Sequence, residues 1–362
     1  MDLFSPVTLG ALQLRNRIVM APMTRSRGNT NATPTEIMAE YYRQRASAGL
    51  IVSEGIAPTA DGIGYCRTPG IYNSAQVEAW RPVLDAVHAE GGIMVAQIMH
   101  VGRISNALNK AAGSETVAPS AIVASGEMYT DQEGMQPFDH PRALETEEVA
   151  KVVNEYRLAT INAFAAGFDG VELHCTSGYL PAQFLCTGTN QRTDKYGGSV
   201  SNRARFVLDV LKAMSDVKGP GHVGVRICPD NPFNDLVDDN PQQTFEFLLQ
   251  EAATLNLAYL HVIRLPGGRV DNVELGRRYF GDRLIGNDNY GLEEAQAEIQ
   301  GGTLTAVSFG RAFISNPDLV ERWRNGTPLA NLNPATLYTK GAHGYTDYPT
   351  ADDADTNHTQ GT

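Results

Sequence analysis

Along this chain, short apolar runs alternate with longer stretches in which apolar residues recur at the spacing of one helix face. The runs lie at residues 17–23, 49–56, 92–100, 168–174, 222–228, 258–263, 282–287 and 303–310. They are nearly continuous rather than alternating, as strands covered on both faces should be. Between them, helical patterning marks residues 35–48, 74–90, 145–166, 201–215, 242–255, 291–300 and 317–324. Strand and helix signals in alternation predict repeated βαβ units and a parallel sheet. Eight strands predict that the sheet closes, so the expected fold is α/β: a single (β/α)8 TIM barrel over residues 1–349.

Local signals refine this outline. The helix at 145–166 has Glu147 and Glu148 at its positive N-terminal end and Gly167 just past its stop. Pro34 stands at a helix start, where a missing N–H costs nothing. The sixth crossover, residues 264–281, is rich in Gly and Arg and predicts only a short helix. Residues 103–142 are too long for an ordinary connection and too punctuated by Gly, Ser and Pro for a helix. They predict a long excursion after strand three, of the kind that forms lids or binding loops. The tail at 350–362 is polar, small and free of aromatics, which predicts disorder.

Composition narrows the class. With 362 residues, 42% hydrophobic and 19% charged, the chain reads as folded and able to bury a sizeable core. A formal net charge of −12 argues against nucleic-acid and anionic-membrane partners. No run of 18 apolar residues is present, and the amino terminus lacks a basic stretch followed by a long apolar one, so neither a spanning helix nor a signal peptide is expected. Cys66, Cys175, Cys186 and Cys228 form no CxxC pair, which argues against a disulfide framework and a structural zinc site. A reduced, cytoplasmic enzyme is expected, as monomer or homodimer, with no metal.

In such a barrel the chemistry sits at the C-terminal ends of the strands. Those ends carry Ala21-Pro22-Met23-Thr24-Arg25, then Glu54-Gly55, then Gln97-Ile98-Met99-His100 with Gly102-Arg103 beyond. They continue with His174 followed by Ser177, Gly178 and Tyr179, then Arg226, then Phe309-Gly310-Arg311. Gln97 both donates and accepts, matching an amide-like ring edge. Arg226 is a permanent cation suited to developing negative charge. Gly310 and Arg311 follow strand eight, where phosphate sites of these barrels lie. Taken singly, each has a plainer reading: a satisfied strand end, an ion pair, a core histidine. Their joint placement at one barrel mouth favours a cofactor with a polar edge and an anionic end.

The motifs Asn190-Gln191-Arg192-Thr193-Asp194-Lys195-Tyr196-Gly197-Gly198-Ser199, Leu14-Arg15-Asn16-Arg17, Ala118-Pro119-Ser120-Ala121 and Gly344-Tyr345-Thr346-Asp347-Tyr348-Pro349 join those strand ends in one order. Over residues 3–349 the chain resembles the old yellow enzyme family of FMN-dependent ene reductases. The resemblance implies that Thr24 hydrogen-bonds the flavin C4 carbonyl, as in the Thr-bearing branch, and that Pro22, Met23 and Gly55 pack the ring. It implies Gln97 at the pyrimidine edge, Arg226 by N1 and the C2 carbonyl, and Asn287, Gly310 and Arg311 among the cofactor contacts. His174 and Ser177 would grip a substrate carbonyl, Tyr179 would deliver a proton, and Met99, Tyr65 and Tyr345 would face the substrate. Hydride would pass from NADPH or NADH through flavin N5 to the β carbon of an enone, maleimide or nitro-olefin.

Four departures stand out. Ser177 replaces the usual His or Asn and offers a single, shorter donor, so nitrate esters, nitroaromatics or quinones are the alternative acceptors. Met99 replaces a frequent Trp, which is expected either to reshape the pocket or to be a plain core exchange. Asp288 brings a carboxylate into the phosphate turn, where it is expected to face solvent or cap the next helix. Lys340 and His343 stand where Gly and Glu are usual.

Overall fold

The structure, a computed structural model, describes residues 1–353. Among them, eight parallel strands close into one barrel: β1 (Ile18–Met20), β2 (Leu50–Ile56), β3 (Met94–Ile98), β4 (Gly170–Cys175), β5 (Val223–Ile227), β6 (Tyr259–Ile263), β7 (Leu284–Asn287) and β8 (Ala306–Phe309). Each pairs with its sequence neighbours, and β8 pairs with β1 to complete the ring. Every barrel strand is buried along its length save Ile263, which is why the runs read as apolar without alternation. The strands are shorter than the runs because the flanking apolar residues turn into loops and caps.

The outer helices are α1 (Glu36–Arg43), α2 (Ser74–Ala89), α3 (Thr146–Ala166), α4 (Val200–Lys218), α5 (Pro241–Ala253), α6 (Asn272–Phe280), α7 (Leu292–Gln300) and α8 (Leu319–Asn325). Helix α3 stops at Gly167, whose φ of 113° only glycine adopts without strain. The Gly- and Arg-rich sixth crossover still forms a nine-residue helix, because Asp271 caps it by accepting from the Glu274 amide.

Two features escaped the sequence pattern. Val7–Leu9 and Leu12–Leu14 form an antiparallel hairpin, and its leucines pack with Val19, Leu50, Val95, Ile285 and Ala306. Three-residue strands carry too little periodicity to register. The excursion after β3 contains a hairpin, Glu127–Thr130 with Gly134–Pro137, and a short parallel pair, Val117–Ala118 with Arg142–Ala143. Its Ala124, Met128 and Phe138 pack with Met99, Ile104 and Tyr179, so it lies over one side of the barrel mouth. Of the tail expected at 350–362, Ala351 donates to Asp318 Oδ2 at 2.7 Å; residues 354–362 lie outside the described residues. Among the described residues no helix is long and apolar enough to cross a membrane.

Candidate active site

A cavity of about 570 Å³ opens at the C-terminal ends of the strands. Its wall brings together Pro22, Met23, Thr24, Gly55, Gln97, Met99, His174, Ser177, Tyr179, Arg226, Asn287, Gly310 and Arg311, all expected there. The volume is within the range of cofactor sites. Gly55 makes room for Met99: a Cβ there would lie 2.5 Å from Met99 Sδ.

Parallel register explains how distant residues meet. Glu172 is level with Gln97 on β3, while Arg226 is level with His174 on one side and His261 on the other. Because strand residues two apart share a face, Glu172 and His174 point the same way, one above the other. Gln97 Nε2 donates to Glu172 Oε1 at 2.8 Å. Arg226 Nη2 donates to Asn287 Oδ1 at 2.6 Å, and Nη1 lies 3.1 Å from His261 Nε2. His261 Nδ1 meets Glu172 Oε2 at 2.9 Å. Burial pushes the Glu172 carboxyl up, but His261, Arg226 and Gln97 outweigh it and hold the group below its usual range. Burial and the neighbouring Arg226 hold His261 neutral, against the pull of Glu172.

His174 is also held neutral: burial and then Arg226 lower it to about 3. Its Nδ1 is buried without a hydrogen-bond partner, a position normally filled in a completed site. Its ring meets Tyr179 edge to face, centroids 4.9 Å apart. The Tyr179 phenol is pushed well above its ordinary range by burial and by Tyr65, so it keeps its proton. Its hydroxyl donates to Tyr65 at 3.0 Å, and Tyr65 is not among the residues of the cavity wall.

Tyr345 is the clear correction. It is fully buried, stacked on Tyr41 at 4.0 Å, with Arg25 and Arg27 over its ring. Those arginines bind carbonyls of the C-terminal segment, Arg25 at Gly344 and Arg27 at Thr336 and Leu337, which draws Tyr345 into the core. Tyr338 and Leu337, not Tyr345, reach the cavity. Asp288 does not cap the next helix, a place left to Gly291; its carboxylate accepts from Asn289 Nδ2 at 3.3 Å in an exposed position. The residue as a whole is half-buried and lines the cavity. Lys340 lies 3.6 Å from Asp131 of the excursion hairpin, and His343 bonds Asp347 at 2.8 Å.

Sequence reasoning also missed Glu172, His261 and Ser308. A charged or polar residue inside an otherwise apolar strand run, in phase with His174 or Arg226, was the available signal. The donor set suits FMN: the cavity wall carries the Gln97 carboxamide, the Arg226 guanidinium, and Gly310 with Arg311, the latter paired with Asn289.

Fold and site together define a flavin-dependent barrel oxidoreductase. Residues 2–330 match the NADH:flavin oxidoreductase / NADH oxidase family. The chain is 40% identical to a probable flavin mononucleotide-dependent alkene reductase of Leishmania infantum, covering 96% of this chain and 97% of that one. It superposes on a structure of morphinone reductase in complex with tetrahydroNAD with a TM-score of 0.94, at 45% identity over 98% of this chain and 99% of that one. The old yellow enzyme homologue from Zymomonas mobilis gives 0.92, at 41% identity over 96% and 99%. The chain belongs to this family, the old yellow enzymes, and is an FMN-dependent NAD(P)H oxidoreductase acting on alkenes.

Proposed function

We propose that the chain reduces activated carbon–carbon double bonds, those of enones, maleimides and nitro-olefins, with NADPH or NADH as hydride donor and Tyr179 as proton donor. The observation that carries this reading is a neutral, unsatisfied His174 set edge-to-face against a protonated Tyr179 on one cavity wall.

FMN, when bound, supplies the two-electron hydride chemistry. The chain supplies aim and field. Gln97, Arg226 and Thr24 orient the cofactor's polar edge, and Met23 and Gly55 pack its ring. A neutral imidazole at His174 donates one hydrogen bond to a substrate carbonyl or nitro oxygen, where negative charge develops as the β carbon is reduced. Tyr179 holds its proton at Oη, donated to Tyr65 in the absence of substrate, and would turn it to the α carbon when an alkene is bound. Met128, Phe138 and Ala124 of the excursion pack in one buried cluster with Tyr179. Alkene class and proton donor are supported by this arrangement and by the family.

Purified protein is expected to be yellow, to bleach with NADPH without oxygen, and to recolour with an enone. A colourless protein that cannot be loaded with FMN sinks the reading. Tyr179→Phe is expected to leave bleaching by NADPH intact and to slow recolouring by an enone about 100-fold or more. An unchanged rate assigns the proton to another donor.

Ser177 supports a second reading. Its hydroxyl is the shortest replacement for the second oxygen-binding group, so nitrate esters, nitroaromatics or quinones, which depend less on a paired carbonyl grip, are the alternative acceptors.

A further inference from the structure

Barrel interiors are ordinarily filled by branched apolar side chains. The layer beneath this cavity instead holds Glu172 and His261, both without solvent exposure and neither on the cavity wall. A buried carboxylate is strongly unfavourable unless it is paired and hydrogen-bonded, so the pair needs a physical account. Its contacts supply one. Glu172 accepts from Gln97 Nε2, and His261 Nε2 lies 2.7 Å from Ser308 Oγ and 3.1 Å from Arg226 Nη1. Gln97, Ser308 and Arg226 all line the cavity.

We propose that Glu172 and His261 are positioning residues for the cofactor's pyrimidine edge, locking the amide of Gln97, setting Ser308 and Arg226, and balancing the charge of Arg226. This rests on FMN occupying the cavity. An ionised carboxylate only accepts hydrogen bonds, so the amide nitrogen of Gln97 must face Glu172. A flip would set the amide oxygen against the carboxylate. Gln97 is left with its Oε1 and one N–H for the cavity, an acceptor beside a donor, the complement of an imide edge. The other oxygen of Glu172 requires Nδ1 of His261 to donate. Nε2 is then an acceptor, open to the Ser308 hydroxyl and to Arg226. Neutral His261 adds no charge, so the layer holds one carboxylate against one guanidinium. Removing the carboxylate leaves Arg226 unbalanced in a medium of low polarity, where its field is strong.

The test compares holoenzymes by flavin midpoint potential, visible spectrum and FMN dissociation constant. Glu172→Gln is expected to shift the potential positive and displace the flavin bands, because unbalanced Arg226 favours the added negative charge. Glu172→Asp keeps the charge but withdraws the carboxylate by one methylene. Its potential should stay near wild type while FMN binds about tenfold more weakly, the worth of one lost hydrogen bond to a charged group. A Glu172→Gln enzyme with wild-type potential and bands overturns the proposal. So does a Glu172→Asp enzyme whose potential moves as far as that of Glu172→Gln, since a merely structural role moves both alike. Should Glu172→Gln fail to fold, unchanged FMN affinity in Glu172→Asp is by itself enough to overturn it. Wild-type protein that binds no FMN would count instead against the cofactor reading.

Discussion

Ser177 holds a backbone φ of 58°, a left-handed conformation that Asn tolerates far better than Ser. Asn234 Nδ2 donates to its carbonyl at 2.8 Å, which keeps the backbone in place whatever side chain is present. Ser177→Asn should therefore fit without strain and restore a second donor beside His174. Its kcat/KM for enones is expected to rise, by up to about 100-fold if the new donor meets the developing oxyanion. Rates with quinones or nitroaromatics should change little. Steady-state kinetics with one acceptor of each class decide this; a flat enone rate would show that Ser177 does not limit the reaction.

At the scale of elements, the most family-specific stretch, residues 190–199, holds the scaffold and contributes nothing to the cavity wall. Arg192 Nη1 donates to the carbonyls of Pro119 and Leu144, and the Gln191 amide donates to Ser120 Oγ at 2.9 Å. Asp194 fixes Arg192 from two residues away, and the Arg192 guanidinium outweighs burial to hold the Asp194 carboxyl well below its usual range. The loop before α4 thus clamps the excursion, and the excursion packs with Tyr179. Arg192→Ala removes hydrogen bonds from a charged group to backbone carbonyls, at a cost of about 2–3 kcal/mol. Faster protease cleavage within residues 103–142 and a lower melting temperature are expected. Wild-type resistance to cleavage would mean the excursion holds itself. The motif was legible as letters; its clamping role was not, because its partners lie 48 to 73 positions away.

Over the whole molecule, pH acts through groups that folding hides. Burial, then Lys110, lowers His100 to about 3, and its Nε2 has no partner. Unfolded, the same imidazole titrates near 6.5. Its contribution to stability is complete above 6.5 and is lost as pH falls toward 3, at about 1.4 kcal/mol per unit, because only the unfolded chain takes up the proton. His100→Gln should remove that dependence, so wild type loses about 2 kcal/mol more than the variant between pH 7 and 5. Urea unfolding at the two values measures it, and equal losses would show that His100 titrates normally in the fold. The eight barrel strands, their helices and the residues at the strand ends were readable from the chain alone, because a period of 3.6 is local and continuous apolar runs mark strands covered on both faces. Which of those residues share a layer depended on barrel closure. Register set Glu172 beside Gln97, 75 positions away, and His261 beside Arg226, 35 away. Arg25 and Arg27, by binding the C-terminal segment, buried Tyr345 against Tyr41 while Tyr338 took the mouth. Hydrogen bonding across a closed sheet joins residues by register rather than by distance along the chain, so that placement belonged to the tertiary structure.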